Sequence, residues 1–167
     1  MALYGKSLGH IYASDIARYA SEEFARLPSF SIVREPFARF LSAVRYLQLN
    51  LDTVRGAPGL PPDLSLLNDP ARVFHEWLAH ADIGRVNYIF RPQHRYVCDP
   101  HGKILPQFVG RFEELDKAMR EVSSWIGREI ELPVVNVSRA KLPSSVPASL
   151  RDEVRRFYAR DVETFLY

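Results

Sequence analysis

The sequence predicts an α/β domain with a short, mainly parallel sheet between helices. Three observations lead there. A strand-like run, Phe30, Ile32 and Val33, stops near Arg34 and leads into Pro36, which suits the first helical position because its missing N–H costs nothing there. Beyond it Phe37, Phe40, Leu41, Val44 and Leu47 recur at spacings of three and four, the apolar stripe of a helix packed on a sheet. Finally, 167 residues with 47% hydrophobic content are enough for one domain, residues 1–167, whose core needs no staple.

Composition limits the partners. A formal charge of +2 against 20 acidic residues does not indicate nucleic acid or a membrane surface, although it leaves room for a local anion site. Cys98 is the one cysteine, so neither an internal disulfide nor a cysteine-based zinc cluster is expected, and a reducing compartment fits. No apolar run approaches the roughly 20 residues that span a bilayer. Met1 to His10 is neither long nor apolar enough for a signal peptide, so the expected location is cytoplasmic.

In chain order, Ser14 or Asp15 is expected to cap a first helix with Ile16, Tyr19, Ala20 and Phe24 on one stripe, ending before Pro28. The strand, turn and helix around Arg34 follow. That helix carries Arg39, Ser42 and Arg45 on its polar face. A helix starting just past a strand end offers free N–H groups and a positive dipole end to an anion, and Arg34 adds a planar bidentate donor. Ser42, two turns in, reaches the same anion only if the anion sits beside the helix. The plainer alternative is an ordinary strand-to-helix junction in which Arg34 pairs with Glu35 or a C-terminal carboxylate.

Asp52 to Pro70 holds too many glycines and prolines for a long element and reads as a surface excursion, either a lid over an acceptor site or a passive insertion. A helix starting at Asp69 or Pro70 would turn Val73, Phe74, Trp77 and Leu78 inward. Its His75 and His80 lie five apart, which defeats the spacing of a zinc helix, so no metal site is assigned. Asp99-Pro100-His101-Gly102 reads as a hairpin-like reversal. A helix from Asp116 to Ile126 closes at Gly127, and Ser149 to Tyr167 reads as one amphipathic helix.

Arg34-Glu35-Pro36-Phe37-Ala38-Arg39-Phe40-Leu41-Ser42 also resembles a family motif, Arg-acidic/Asn-Pro-x-x-Arg-x-x-Ser, of sulfotransferases that use PAPS (phosphoadenosine phosphosulfate). The likeness is to the carbohydrate, glycosaminoglycan and membrane-type branch more than to the small-phenol enzymes. It implies a three-layer, P-loop-NTPase-like fold. It also implies that Arg34, Ser42 and the motif's Arg39 bind the nucleotide, and that the acceptor is a hydroxyl of a carbohydrate or similar molecule. Gly9-His10 resembles the family's Gly-His pair ahead of a helix, some two dozen residues upstream, which implies His10 as the base that takes the acceptor proton.

The segment around Gln93 resembles the family's Gln-containing stretch over the nucleotide and acceptor cleft. Phe108 to Leu115 resembles its strand ending in Gly-Arg-Phe-Glu before a helix. Pro133, Asn136 and Ser138 match a region around the nucleotide, and Tyr158, Asp161, Phe165 and Tyr167 match a C-terminal pattern.

One departure shapes the expectation. The family's opening strand and Lys/Gly/Ser loop, which hold the sulfate-side phosphate, have no counterpart here except Gly5-Lys6-Ser7, which lacks the flanking strand and helix. The chain therefore reads as an N-terminally truncated form of the fold. One preorganised donor at developing charge is worth about 2.7–4 kcal/mol, so the rival reading is a non-catalytic, degenerate member that serves as an interaction scaffold. The sheet edge left open would favour association of copies into a homo-oligomer.

Overall fold

The computed structural model describes residues 11–130 and 146–167. In order, its regular elements are α1 (Ala13–Tyr19), α2 (Ser21–Arg26), β1 (Phe30–Val33), α3 (Pro36–Leu49), α4 (Leu51–Val54), α5 (Pro70–Arg72), α6 (His94–Val97), β2 (Phe108–Arg111), α7 (Leu115–Ile126), α8 (Ala148–Phe157) and α9 (Ala159–Phe165), with short 3-10 and π turns between them. The chain divides into two compact units, Met1–Arg34 with Pro92–Leu132, and Glu35–Arg91 with Pro133–Tyr167.

In the first unit β1 and β2 pair in parallel, in a register that runs from Phe30 opposite Phe108 to Val33 opposite Arg111. Among the described residues this makes a mixed, mostly helical structure with a small two-stranded parallel sheet. α7 lies close on the sheet at Gly110. A Cβ added there would stand 2.6 Å from the Ala118 Cβ and 2.9 Å from the Ile32 Cδ1, distances that carbon atoms do not tolerate. Ala118, Met119 and Val122 form a buried cluster there, joined by Ile32, Phe108 and Leu115. As expected, α7 ends at Gly127, which takes the left-handed conformation with φ of 69°.

The reversal at Asp99 is also found. Asp99 Oδ1 accepts from the His101 and Lys103 amides, each at 2.9 Å, and Cys98 bridges Ile104 in antiparallel fashion. Those amides, led by that of Lys103, hold the Asp99 carboxyl below the usual carboxylate range.

The first helix departs from expectation. It breaks at Ala20 into α1 and α2, and Tyr12 stands at its N-cap without a side-chain bond, so Ser14 and Asp15 lie inside the first turn and cap nothing. Ile16 and Tyr19 of that stripe stay exposed, whereas Phe24 is half-buried.

In the second unit Phe37, Phe40, Leu41, Val44 and Leu47 of α3 are all buried, as their spacing predicts. They pack with Leu66, Leu67, Val73, Phe74, Leu78, Phe90, Leu150, Val154 and Tyr158. The Asp52 to Pro70 stretch is less free than its composition suggests. Leu66 and Leu67 anchor it in the core, and the Leu67 carbonyl accepts from Gln48 Nε2. Gly59 adopts φ of 72°, and a Cβ there would collide with the Arg85 carbonyl and the Asn87 amide.

After α5 the helix widens into a π turn over Val73–Trp77, then tightens to a 3-10 turn over Leu78–His80. The wider turn sets Val73 and Leu78, five residues apart, on the same buried side. The C-terminal helix is two helices, not one: the backbone breaks at Tyr158, whose buried hydroxyl donates to the Phe90 carbonyl at 2.6 Å. Among the described residues, no helix is long and apolar enough to cross a membrane.

Candidate functional site

Arg34 follows the last paired residue of β1, so it leaves the carboxyl end of a parallel strand, the end at which open α/β sheets bind ligands. The register puts Arg111 opposite Val33 at the same end, with Phe112 next in the chain. The Arg34 guanidinium lies over the Phe112 ring, its Cζ 4.6 Å from the centroid. The Arg34 backbone is held as well: its N–H donates to Gln93 Oε1 at 2.8 Å and its carbonyl accepts from Gln93 Nε2 at 2.7 Å. Among the described residues the guanidinium carries no ion pair. The first unit thus gathers Arg34, Gln93, Arg111 and Phe112 at one end of its sheet. The donors of Arg34 stay available to an anion, while its root and tip are both held.

The second unit holds Arg39 and Ser42. Its α3 is capped by Glu35, whose Oε2 accepts from the Ala38 amide at 2.7 Å and whose Oε1 accepts from Arg155 Nη1 at 2.8 Å. Arg155 also donates from Nη2 to the Tyr167 carbonyl at 2.9 Å. A carboxylate therefore already faces the positive end of α3, and the expectation that this helix end offers free N–H groups to an anion is corrected. An anion there would meet the Glu35 charge as well as the dipole, so recognition by α3 falls to its side chains. It is Glu35, not Arg34, that takes an ion-pair partner from the C-terminal helices.

Ser42 is exposed on the flank of α3, and Arg39 is half-buried. The Arg39 charge reaches Tyr158. Burial pushes the Tyr158 hydroxyl far above the ordinary phenol range, an effect that Arg39 opposes and buried Asp161 reinforces. One turn beyond Ser42, Arg45 Nη1 donates to Gln48 Oε1 at 3.3 Å, while its buried Nε has no partner among the described residues.

His10, Lys6, Pro133, Asn136 and Ser138 lie outside the described residues. His75 Nε2 and Glu153 Oε2 are 2.6 Å apart, which lowers the Glu153 carboxyl below the usual carboxylate range. Among the described residues, no group of three or more His, Cys, Asp or Glu could hold a metal ion.

Sequence reasoning singled out the segments of Gln93 and Phe112 but not their attachment to Arg34, and it passed over Arg155. The Glu35 and Arg155 pair spans 120 positions and that of Arg34 and Gln93 spans 59. Such separations leave no periodic signal.

A sequence model of the Sulfotransferase family matches residues 13–167. The chain belongs to the Sulfotransferase family. No curated protein and no solved structure matches it. The matched span of this sulfotransferase-family chain contains Arg34, Arg39, Ser42, Gln93 and the Gly110-Arg111-Phe112-Glu113 segment, whereas His10 precedes it.

Proposed function

We propose that this chain transfers a sulfuryl group from PAPS to a hydroxyl of a carbohydrate or similar acceptor, on a three-layer fold of the P-loop-NTPase type. The observation that carries the reading is Arg34: a guanidinium at the carboxyl end of a parallel strand, stacked on Phe112 and without an ion pair among the described residues, in a chain of the Sulfotransferase family. These residues fit the nucleotide, since a planar fork with unspent donors is the natural complement of a phosphate. When bound, PAPS supplies the activated sulfuryl group.

The roles of the chain's own residues follow from the motif. Arg34 binds the ribose phosphate bidentately, the Ser42 hydroxyl donates to it, and Arg39 adds positive charge. The His10 imidazole accepts the proton of the acceptor hydroxyl and so makes its oxygen a better nucleophile.

Calorimetric titration with adenosine bisphosphate tests the site. The expected result is binding in the wild type that weakens by about 1.5–3 kcal/mol in Arg34→Ala, the range for a hydrogen bond to a charged group. Absence of wild-type binding, or equal binding by the variant, would overturn the assignment. A His10→Ala variant should keep nucleotide affinity and lose sulfuryl transfer. If it lost affinity and turnover in proportion, the base assignment would fall.

A further inference from the structure

We infer that Gln93 is a positioning residue for ribose-phosphate recognition, acting through the backbone of Arg34. The inference rests on the reading of Arg34 as the phosphate ligand and adds to it a device that fixes where that arginine points.

A carboxamide, with a carbonyl acceptor and an N–H donor side by side, can imitate a peptide group. Gln93 uses it that way. Its Oε1 takes the Arg34 N–H at 2.8 Å and its Nε2 gives to the Arg34 carbonyl at 2.7 Å, so one side chain satisfies both backbone groups of one residue. The two bonds also fix which way the amide is turned, because the reverse orientation would set donor against donor and acceptor against acceptor. Gln93 is 8% exposed, so water competes little for either bond.

The location matters as much as the geometry. Regular pairing of β1 ends with Val33 opposite Arg111, and Arg34 is the next residue. At this point the chain gives up the sheet that would otherwise define its φ and ψ. Gln93 supplies the missing rung. It stands just ahead of α6, where the Tyr96 amide bonds back to the Gln93 carbonyl at 2.9 Å, so the clamp is itself braced by a helical turn.

An arginine side chain turns a small rotation at its Cα into a large displacement of its guanidinium. Gln93 holds the root of Arg34 while Phe112 supports the tip at 4.6 Å. The guanidinium is preorganised, and the phosphate does not have to order it.

The test compares two probes, adenosine bisphosphate and adenosine monophosphate without the ribose phosphate, on wild type, Arg34→Ala, Gln93→Glu and Gln93→Leu. Gln93→Glu keeps the acceptor for the Arg34 N–H and puts a second acceptor against its carbonyl, whereas Gln93→Leu removes both partners. Each Gln93 variant should lose about tenfold in bisphosphate affinity while its monophosphate affinity stays within about twofold. A residue that merely stabilised the unit would change both probes alike. If the wild type discriminates between the probes, Arg34→Ala does not, and both Gln93 variants still do, the positioning role is wrong and the Arg34 reading stands. If the wild type itself shows no preference, both fall.

Should the Gln93 variants not fold, amide exchange on the wild type decides. The Arg34 N–H should be protected and become more so with bisphosphate but not with monophosphate. Exchange as fast as in an open loop would overturn the proposal.

Discussion

In the second unit Phe40, Leu67, Leu78, Leu150 and Val154 are at most 1% exposed and pack in a single cluster. Among the described residues of the first unit, Ala118, Met119 and Val122 form a smaller cluster, while Phe30, Phe112 and Ile126 remain nearly half exposed. Ion pairs occur in both units, Glu35 with Arg155 and Glu153 with His75 in the second and Glu114 with Lys117 in the first. The Arg34 guanidinium of the first unit has an aromatic ring for company and no ion pair among the described residues. The deepest apolar burial and the stacked Arg34 guanidinium thus lie in different parts of the chain. Substitutions in the core of the second unit should move stability, and those around Arg34 should move affinity.

The largest effect is expected at Phe40. Phe40→Ala removes a ring that meets Phe74 and Phe90 at centroid distances of 6.1 and 6.2 Å. It should cost about 3–5 kcal/mol in denaturant unfolding. A loss below 1 kcal/mol, on the scale of an ordinary surface change, would mean that the second unit does not hold the stability assigned to it.

Next comes Tyr158→Phe, which keeps the ring but leaves the buried Phe90 carbonyl without its 2.6 Å donor. About 1–3 kcal/mol should be lost. Unchanged stability would show that this bond does not secure the break between α8 and α9.

The comparison is sharpened by Phe112→Leu in the first unit. Losing the cation–π contact beneath Arg34 should weaken adenosine bisphosphate binding by about 0.5–1 kcal/mol, with a smaller change in unfolding than at Phe40 because Phe112 is nearly half exposed. The reverse pattern, intact binding with lowered stability, would make Phe112 a packing residue.

The smallest effect concerns pH. The hydrogen bond from His75 holds the Glu153 carboxyl low in the folded state. Its contribution is present above the ordinary glutamate pKa and is lost as pH falls through the lowered folded value. Glu153→Gln should therefore flatten the acid side of the stability profile slightly. An acid limb identical to that of the wild type would remove Glu153 from it.

The sequence by itself determined the elements whose signals are local. The ends of β1, the start of α3 at Pro36 with its buried stripe, the close of α7 at Gly127 and the reversal at Asp99 all came from periodicity or from turn chemistry at fixed offsets. It also determined the family, whose sequence model matches residues 13–167. Only the tertiary structure decided which partners those residues take. Glu35 turned to Arg155, Gln93 to the backbone of Arg34, and Phe112 to its guanidinium. The expected C-terminal helix broke where Tyr158 reached Phe90.

The physical reason is the range of the forces concerned. Helix stripes, caps and turns depend on neighbours within about a turn of the chain. Hydrogen bonds and ring contacts between distant residues depend on which surfaces have already packed together, and no spacing along the chain records that.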